Sequence, residues 1–363
     1  MKSIISSVFW VEIAPILIIL LLSLPNNALS EESRNFERIK LPLNIGSEAY
    51  AFDSDNIGPY TGLKYGRIVK YNGNRFVDFA TTVPNKISQE SRDFERIELP
   101  ANLGSEAYAF DSDNIGPYTG LNDGRIVVYK GPEIGFVDFA TTVPNRSKEL
   151  CDGTNANATL GPKCGRPLDL EFNHKTGQLY IVDLYQGLMV VERGSDVATP
   201  VAKGVDGMPG DAPDAIAIDP ITGEVYFTDI GTIIFTNPNM SQVLQSGDKS
   251  GKLLKYDPKT ERRSVVLTGL SGPSGLAVSQ DGSFILIAEY LACNITRYWL
   301  TGPKAHTSEH LLELPGNPDN IKRTKSGDFW VAVNIQKIYP QLSSFPLGQK
   351  ISANGQIMQT VNF

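Results

Sequence analysis

An all-β fold, a six-bladed β-propeller of four-stranded antiparallel blades, is predicted from three features of the chain. Residues 29–71 return almost unchanged as residues 87–129, an offset of 58 with nine differences. Diverged forms of the same unit recur through the rest of the chain. Between turns rich in Gly, Pro and Asp, apolar and aromatic residues alternate with a period of two, and no helical period appears.

Each unit reads as an alternating strand, a D-x-x-T-G-like turn, an apolar or aromatic strand and then a Gly-led third strand. The copies begin at Glu48, Glu106, Leu168, Asp214, Ser274 and Asp319, spaced 58, 62, 46, 60 and 45 residues apart. Third strands follow as GRIVKY, GRIVVY, GLMVVE, GKLLKY, ITRYWL and GQIMQTV. A period of that length holding about four strands fits a propeller blade. β-Branched and aromatic alternation excludes helical repeats, and six units in register argue against a β-sandwich. The expected organisation is a signal peptide over 1–30, a duplicated N-terminal blade over 31–86 and the remaining blades over 87–363.

The N-terminus carries Lys2, the apolar run Ile13–Leu24 and the small-x-small site Ala28-Leu29-Ser30 before Glu31. This pattern predicts a cleaved secretory signal, because twelve apolar residues broken by Pro15 are short for a span of roughly 20 residues. No stable membrane span is then expected after cleavage. With 33 Lys and Arg against 40 Asp and Glu, a net charge of −7 gives no reason to expect nucleic acid as a partner. A monomer or weak oligomer is expected.

Three cysteines are present. Cys151 and Cys164 bracket the polar loop CDGTNANATLGPKC, and Cys293 lies in an apolar run. In an oxidising compartment the first two are expected to pair, leaving Cys293 buried and free. The sequons at Asn145, Asn157, Asn239 and Asn294 are the candidate N-glycosylation sites of a secreted glycoprotein, with Asn157 foremost.

In a propeller the first strand of each blade lines the central channel. Glu48, Glu106, Leu168, Asp214, Ser274 and Asp319, with Asn320 beside the last, hold equivalent positions before each alternation begins. They are expected to converge at one channel mouth, where facing oxygens suit a hard cation such as Ca²⁺. Solvated carboxylates, held together by water, are the plainer alternative. The histidines His174, His306 and His310 lack zinc spacing and read as solvated turn residues. Asp183, Asp229 and Glu289 end second strands and are expected to accept hydrogen bonds from turn amides. Tyr118, Tyr180, Tyr226 and Trp330 read as sheet-packing aromatics. There is no G-x-S-x-G elbow and no P-loop.

Several longer segments carry a family likeness. CGRPLDLEF (164–172), TGQLYIVDLYQGLMVV (176–191), SGKLLKYDPKT (250–260), GSFILIAE (282–289), RYWLTGPKAHTSE (297–309) and PDNIKRTKSGDFWVA (318–332) resemble the plant strictosidine synthase family and its strictosidine synthase-like relatives. DGRIVVYKGPEIGFVDFA (123–140) is similar to that family's first blade. The resemblance implies a six-bladed propeller, a disulfide at Cys151–Cys164, and passage through the secretory pathway to the vacuole, otherwise to the endoplasmic reticulum lumen or the cell exterior. It implies a small organic substrate and an alkaloid-type Pictet–Spengler condensation joining tryptamine to the aldehyde of secologanin, in the carbon–nitrogen lyase class.

Two departures accompany the resemblance. The condensing enzymes carry their catalytic glutamate on an inner strand downstream of the segment matching GQKISANGQIMQTV (348–361), and this chain stops at Phe363. No residue therefore inherits that role by motif; the candidates are Glu48, which would sit near the missing strand if the extra copy closes the ring, and Glu106. An inactive, non-catalytic binding propeller is one alternative. The other is a calcium-dependent esterase or lactonase: the second departure is that Asp214 and Ser274 stand where the calcium-binding relatives have asparagines, each keeping an oxygen ligand beside Glu106, Asp319 and Asn320.

Overall fold

The computed structural model describes residues 47–51, 60–63, 67–71, 76–81, 97–99, 104–154, 159–201, 212–231, 239–337 and 343–362. All of them belong to one compact unit, Arg38–Phe363. The expected signal segment and Asn157 lie outside the described residues, as does the side chain of Glu48.

The first copy of the unit forms β1 (Ser47–Ala51), β2 (Tyr60–Leu63), β3 (Arg67–Tyr71) and β4 (Phe76–Thr81), followed by β5 (Ile97–Glu98). The second copy forms β6 (Ser105–Ala109), β7 (Tyr118–Leu121), β8 (Arg125–Tyr129) and β9 (Phe136–Thr141). Two single-turn helices, α1 (Lys148–Cys151) and α2 (Gly161–Cys164), precede β10 (Pro167–Asn173), β11 (Gln178–Asp183), β12 (Gly187–Val191) and β13 (Thr199–Pro200). The next sheet is β14 (Pro213–Ile218), β15 (Val225–Asp229), β16 (Gly251–Asp257) and β17 (Arg262–Leu270), with α3 (Met240–Leu244) between β15 and β16. Then come β18 (Pro273–Val278), β19 (Phe284–Glu289), β20 (Asn294–Trp299) and β21 (Ser308–Glu313). The last sheet is β22 (Asn317–Arg323), β23 (Phe329–Lys337), β24 (Ser343–Ile351) and β25 (Ile357–Asn362).

Five of these sheets are four-stranded antiparallel blades of sequential strands, against the six such blades predicted. The sheet of the N-terminal copy departs from the pattern, with five strands in the order β1-β2-β3-β4-β5. Its extra strand, β5, runs parallel to β4, pairing Ala80 with Ile97 and Thr81 with Glu98. The cause is the duplication. The segment leading into the second copy lies along the outer edge of the first and pairs with its exposed backbone groups. Leu99 then plugs into the second copy, 3% exposed, against Tyr108, Phe110, Leu121 and Val127.

The core sits in the wedges between adjacent blades. Successive side chains of a strand point to opposite faces, so each second strand feeds two wedges. On β11, Leu179 and Ile181 pack toward the β6–β9 blade with Ile126 and Val128. Tyr180 and Val182 pack the other way, with Phe227 and Leu254. On β19, Ile285 and Ile287 meet Ala217 and Tyr226, whereas Leu286 and Ala288 meet Val331 and Val333. Each such fully buried aliphatic side chain contributes about 1.5–3 kcal/mol by leaving water. This double burial is why the second strands read as continuous apolar runs.

The turns after the inner strands use their acids and amides locally. Asp111 accepts from the amides of Asp113 and Ile115, Asn173 from Lys175, and Asp219 from Ile221 and Thr222. Cys151 and Cys164 form the expected disulfide. Cys293 is free, but it is half-buried in the turn before β20 and not buried within a strand. The aromatics Tyr118, Tyr180, Tyr226 and Trp330 are buried, as their sheet-packing reading requires, and the three histidines are exposed. Asn145 and Asn239 are exposed, whereas Asn294 is half-buried at the start of β20.

Candidate functional site

The inner strands β6, β10, β14, β18 and β22 adjoin one another in that order, and β1 packs against both β6 and β22. All six carry a register irregularity near their start: Ser47/Tyr50, Ser105/Tyr108, Pro167/Asp169, Pro213/Ile216, Pro273/Gly275 and Pro318/Ile321. An extra residue at such a place frees a side chain from the pleat and re-aims it. Glu106, Asp214, Ser274, Asp319 and Asn320 lie on these irregular starts.

Their partners decide what these positions can do. Arg166, entering β10, donates from Nη2 to Glu106 Oε1 at 2.8 Å. The Ser274 hydroxyl donates to the Pro318 carbonyl at 2.9 Å and is 3% exposed. Asp214 and Asp319 are half-buried, and Asn320 is 7% exposed. Gly275 is required between them, because a Cβ there would sit 2.4 Å from the Asp319 carbonyl oxygen. No group of three or more His, Cys, Asp or Glu side chains among the described residues is arranged to hold a metal ion. Glu106 is thus paired with a guanidinium, and the Ser274 hydroxyl is turned to a carbonyl.

The carboxylates that close second strands act as expected. Asp183 accepts from the amides of Arg166, Tyr185 and Gln186 and from the Thr142 hydroxyl. Asp229 accepts from Gly231 N and from Lys252 Nζ at 2.8 Å. Glu289 accepts from Ser271 N and the Thr296 hydroxyl. The bonds from Arg166 N, Ala212 N and Ser271 N tie the loops before β10, β14 and β18 to the ends of second strands.

Further along the inner strands the channel is crossed by charge that the sequence reading missed. The inner edge of each blade exposes backbone groups with no strand partner, and buried orphans are costly. Side chains of neighbouring inner strands satisfy them. Asp169 on β10 accepts from Ile216 N of β14 at 3.1 Å, and Arg323 Nε of β22 donates to Val278 O of β18 at 3.0 Å. Lys322 Nζ of β22 reaches Asp169 Oδ1 and Oδ2 at 3.1 and 3.2 Å, joining non-adjacent inner strands through the channel. Burial pushes the Glu171 carboxyl above its usual value, against the opposing pull of Lys322. Burial would lower Lys322, but Asp169 and then Glu171 outweigh it, and its ammonium titrates above the ordinary lysine value. The signal was present as acids alternating through LDLEF and bases ending NIKR, both on channel-lining strands.

Beyond this bridge the opposite mouth opens into a cavity of about 380 Å³. It is bounded by the C-terminal ends of β6, β10, β14, β18 and β22, with Phe110, Phe172, Ile218, Glu171, Lys322 and Arg323 in its wall. It therefore lies at the end of the channel away from the predicted mouth.

A sequence profile of strictosidine synthase matches residues 214–303. Strictosidine synthase-like protein 12 of Arabidopsis thaliana is 41% identical over 282 residues, covering 77% of this chain and 83% of that protein. Strictosidine synthase of Catharanthus roseus is 40% identical over 237 residues, 65% of this chain and 66% of that protein. Among solved structures, a gluconolactonase from Xanthomonas campestris superposes with a TM-score of 0.51 at 13% identity, over 71% of this chain and 75% of that one. A chain of a nidogen/laminin complex gives 0.54 at 13% identity, over 83% and 91%. These two likenesses concern the fold alone. With an all-β propeller of four-stranded blades and relatives at about 40% identity over most of its length, the chain belongs to the strictosidine synthase-like family.

Proposed function

We propose that this protein is a condensing enzyme of the strictosidine synthase type, joining an amine to an aldehyde at the carboxylate-rich channel mouth. The observation that carries the reading is the seat of β1 between β22 and β6. It supports a ring in which the sheet β1–β5 takes the sixth place, with Glu48 at the strand position equivalent to Glu106. Glu106 is committed to Arg166, so Glu48 is assigned as the general base and Glu106 as a residue of the rim.

The amine, freed of its ammonium proton, adds to the aldehyde, and that proton goes to the carbinolamine hydroxyl, which leaves as water and gives an iminium ion. The aromatic ring then attacks the iminium carbon, forming a carbon–carbon bond. Glu48 takes the proton from the attacked ring carbon, which restores aromaticity. The half-buried Asp214 and Asp319 supply the negative field that favours the cationic amine and iminium, the Glu106–Arg166 pair being neutral overall. The secretory signal, glycosylation at the exposed sequons and a vacuolar destination belong to the same reading. No helix among the described residues is long and apolar enough to cross a membrane.

Incubation of the purified protein with tryptamine and secologanin, with mass-spectrometric detection of the condensed product, tests the proposal. Turnover by the parent and a loss of about 10²–10⁴-fold in Glu48→Gln is expected. No turnover by the parent, or undiminished turnover in Glu48→Gln, would refute it.

A further inference from the structure

The cavity at the opposite mouth is built like a binding site and has no part in the proposed condensation. Its volume of about 380 Å³ falls in the range of small-molecule pockets, roughly 300–1,000 Å³. Its walls are apolar where Phe110, Phe172 and Ile218 keep 9%, 6% and 8% of their surface exposed. Most charged groups around it are already engaged. Asp111 accepts from two turn amides and the Tyr118 hydroxyl. Asp219 accepts from the amide and hydroxyl of Thr222 and from Ile221 N. Lys322 is held by Asp169, and Lys175 Nζ by the Ile221 carbonyl.

Arg323 differs from these. Its Nε is used on the Val278 carbonyl, and that contact fixes the plane of the guanidinium. No hydrogen bond is made by its two terminal nitrogens among the described residues, though the side chain is half-buried. Glu171 interacts with it only through space. A fixed guanidinium with both terminal groups open is matched to the two oxygens of a carboxylate. Glu171 accepts from the Ile218 amide, and burial pushes its carboxyl above its usual value. A dianion would meet Asp111, Asp219 and Glu171 at close quarters.

We propose that this cavity binds a small monocarboxylic acid with an apolar or aromatic body, its carboxylate on Arg323 and its body against Phe110, Phe172 and Ile218. The site is independent of the condensation reading, since it occupies the other end of the channel.

Calorimetric titration of the full chain with phenylacetate, and with phenylacetamide as the neutral isostere, tests it. The parent protein should take up one phenylacetate per chain, about tenfold or more tighter than the amide. Arg323→Gln should weaken phenylacetate by at least about tenfold and leave the amide unchanged. Arg323→Lys, which keeps the charge, should fall between the two and covers the case in which the glutamine variant folds poorly. Equal affinity for acid and amide, no saturable binding, or a loss that follows Arg166→Gln at the other mouth in place of Arg323→Gln would overturn the proposal.

Discussion

Replacing Asp169 by asparagine removes one atom's charge from the channel and should be among the costliest single changes in the protein. Asp169 is fully buried and accepts from Leu170 N at 2.8 Å, Ile216 N at 3.1 Å and Lys322 Nζ at 3.1 Å. An amide offers one oxygen where the carboxylate offered two, and it sets an N–H against one of the three donors. It also leaves the Lys322 ammonium, 14% exposed, with only Glu171 as a nearby counter-charge. Breaking a buried pair from one side costs about 3–5 kcal/mol, so Asp169→Asn should lose about that much. Lys322→Met should cost less, about 1–3 kcal/mol, because two backbone amides still hold the carboxylate. The double variant should fall short of the sum by at least about 1 kcal/mol, since one broken pair is counted twice. Urea unfolding of the four proteins at neutral pH measures all three differences. Additivity within about 0.5 kcal/mol would show that the two groups do not act as a pair, and the account of the channel would fail.

Two further predictions concern the frame around the site. Gly124 has φ +88°, and a Cβ there would lie 1.7 Å from the Cys164 carbonyl oxygen, so Gly124→Ala should destabilise by about 2–4 kcal/mol. A urea midpoint within about 0.5 kcal/mol of the parent would contradict that. The buried phenols make stability fall at high pH. Burial, then Asp111, raises Tyr118, and burial, then the hydrogen bond to Glu224, raises Tyr226. Burial, then Tyr256, lifts Tyr180 from 10.0 to about 12. A folded value above the unfolded one favours the neutral phenol. Its contribution is complete below the unfolded value near 10 and is lost as pH climbs to the folded one. For Tyr180 two units correspond to about 3 kcal/mol. Phenolate absorbance should rise together with loss of near-ultraviolet circular dichroism, and ordinary titration with the fold intact would refute the burial argument.

The legible parts of this protein are those set by local pattern. Alternation, the Asp- and Asn-led turns and the Cys151–Cys164 loop each depend on residues close in sequence, and the structure keeps them. The strand-start positions of Glu106, Asp214, Ser274 and Asp319 were readable because the diverged units repeat in register. Three features were not legible, each for a reason of geometry. Six equal four-stranded blades were expected and five are found, because a two-residue strand, Ile97–Glu98, is recruited by an open edge and not by its own pattern. The Asp169–Lys322 bridge joins residues 153 apart in sequence, which only the arrangement of the inner strands about the channel brings together. Glu106 forms an ion pair with Arg166, 60 residues away, and no spacing rule reports that.

Hydrogen exchange at the inner strands bears most directly on the seat of the N-terminal copy, on which the catalytic assignment rests. Peptides from residues 38–51 and 96–109 differ in mass, so the two copies can be followed separately in one experiment. Amides of Ser47–Ala51 should be protected to an extent approaching those of Ser105–Ala109, since each inner strand is flanked by neighbours on both sides. Exchange of Ser47–Ala51 at the rate of an unstructured peptide, beside a protected second copy, would contradict the ring and withdraw Glu48 from the active site.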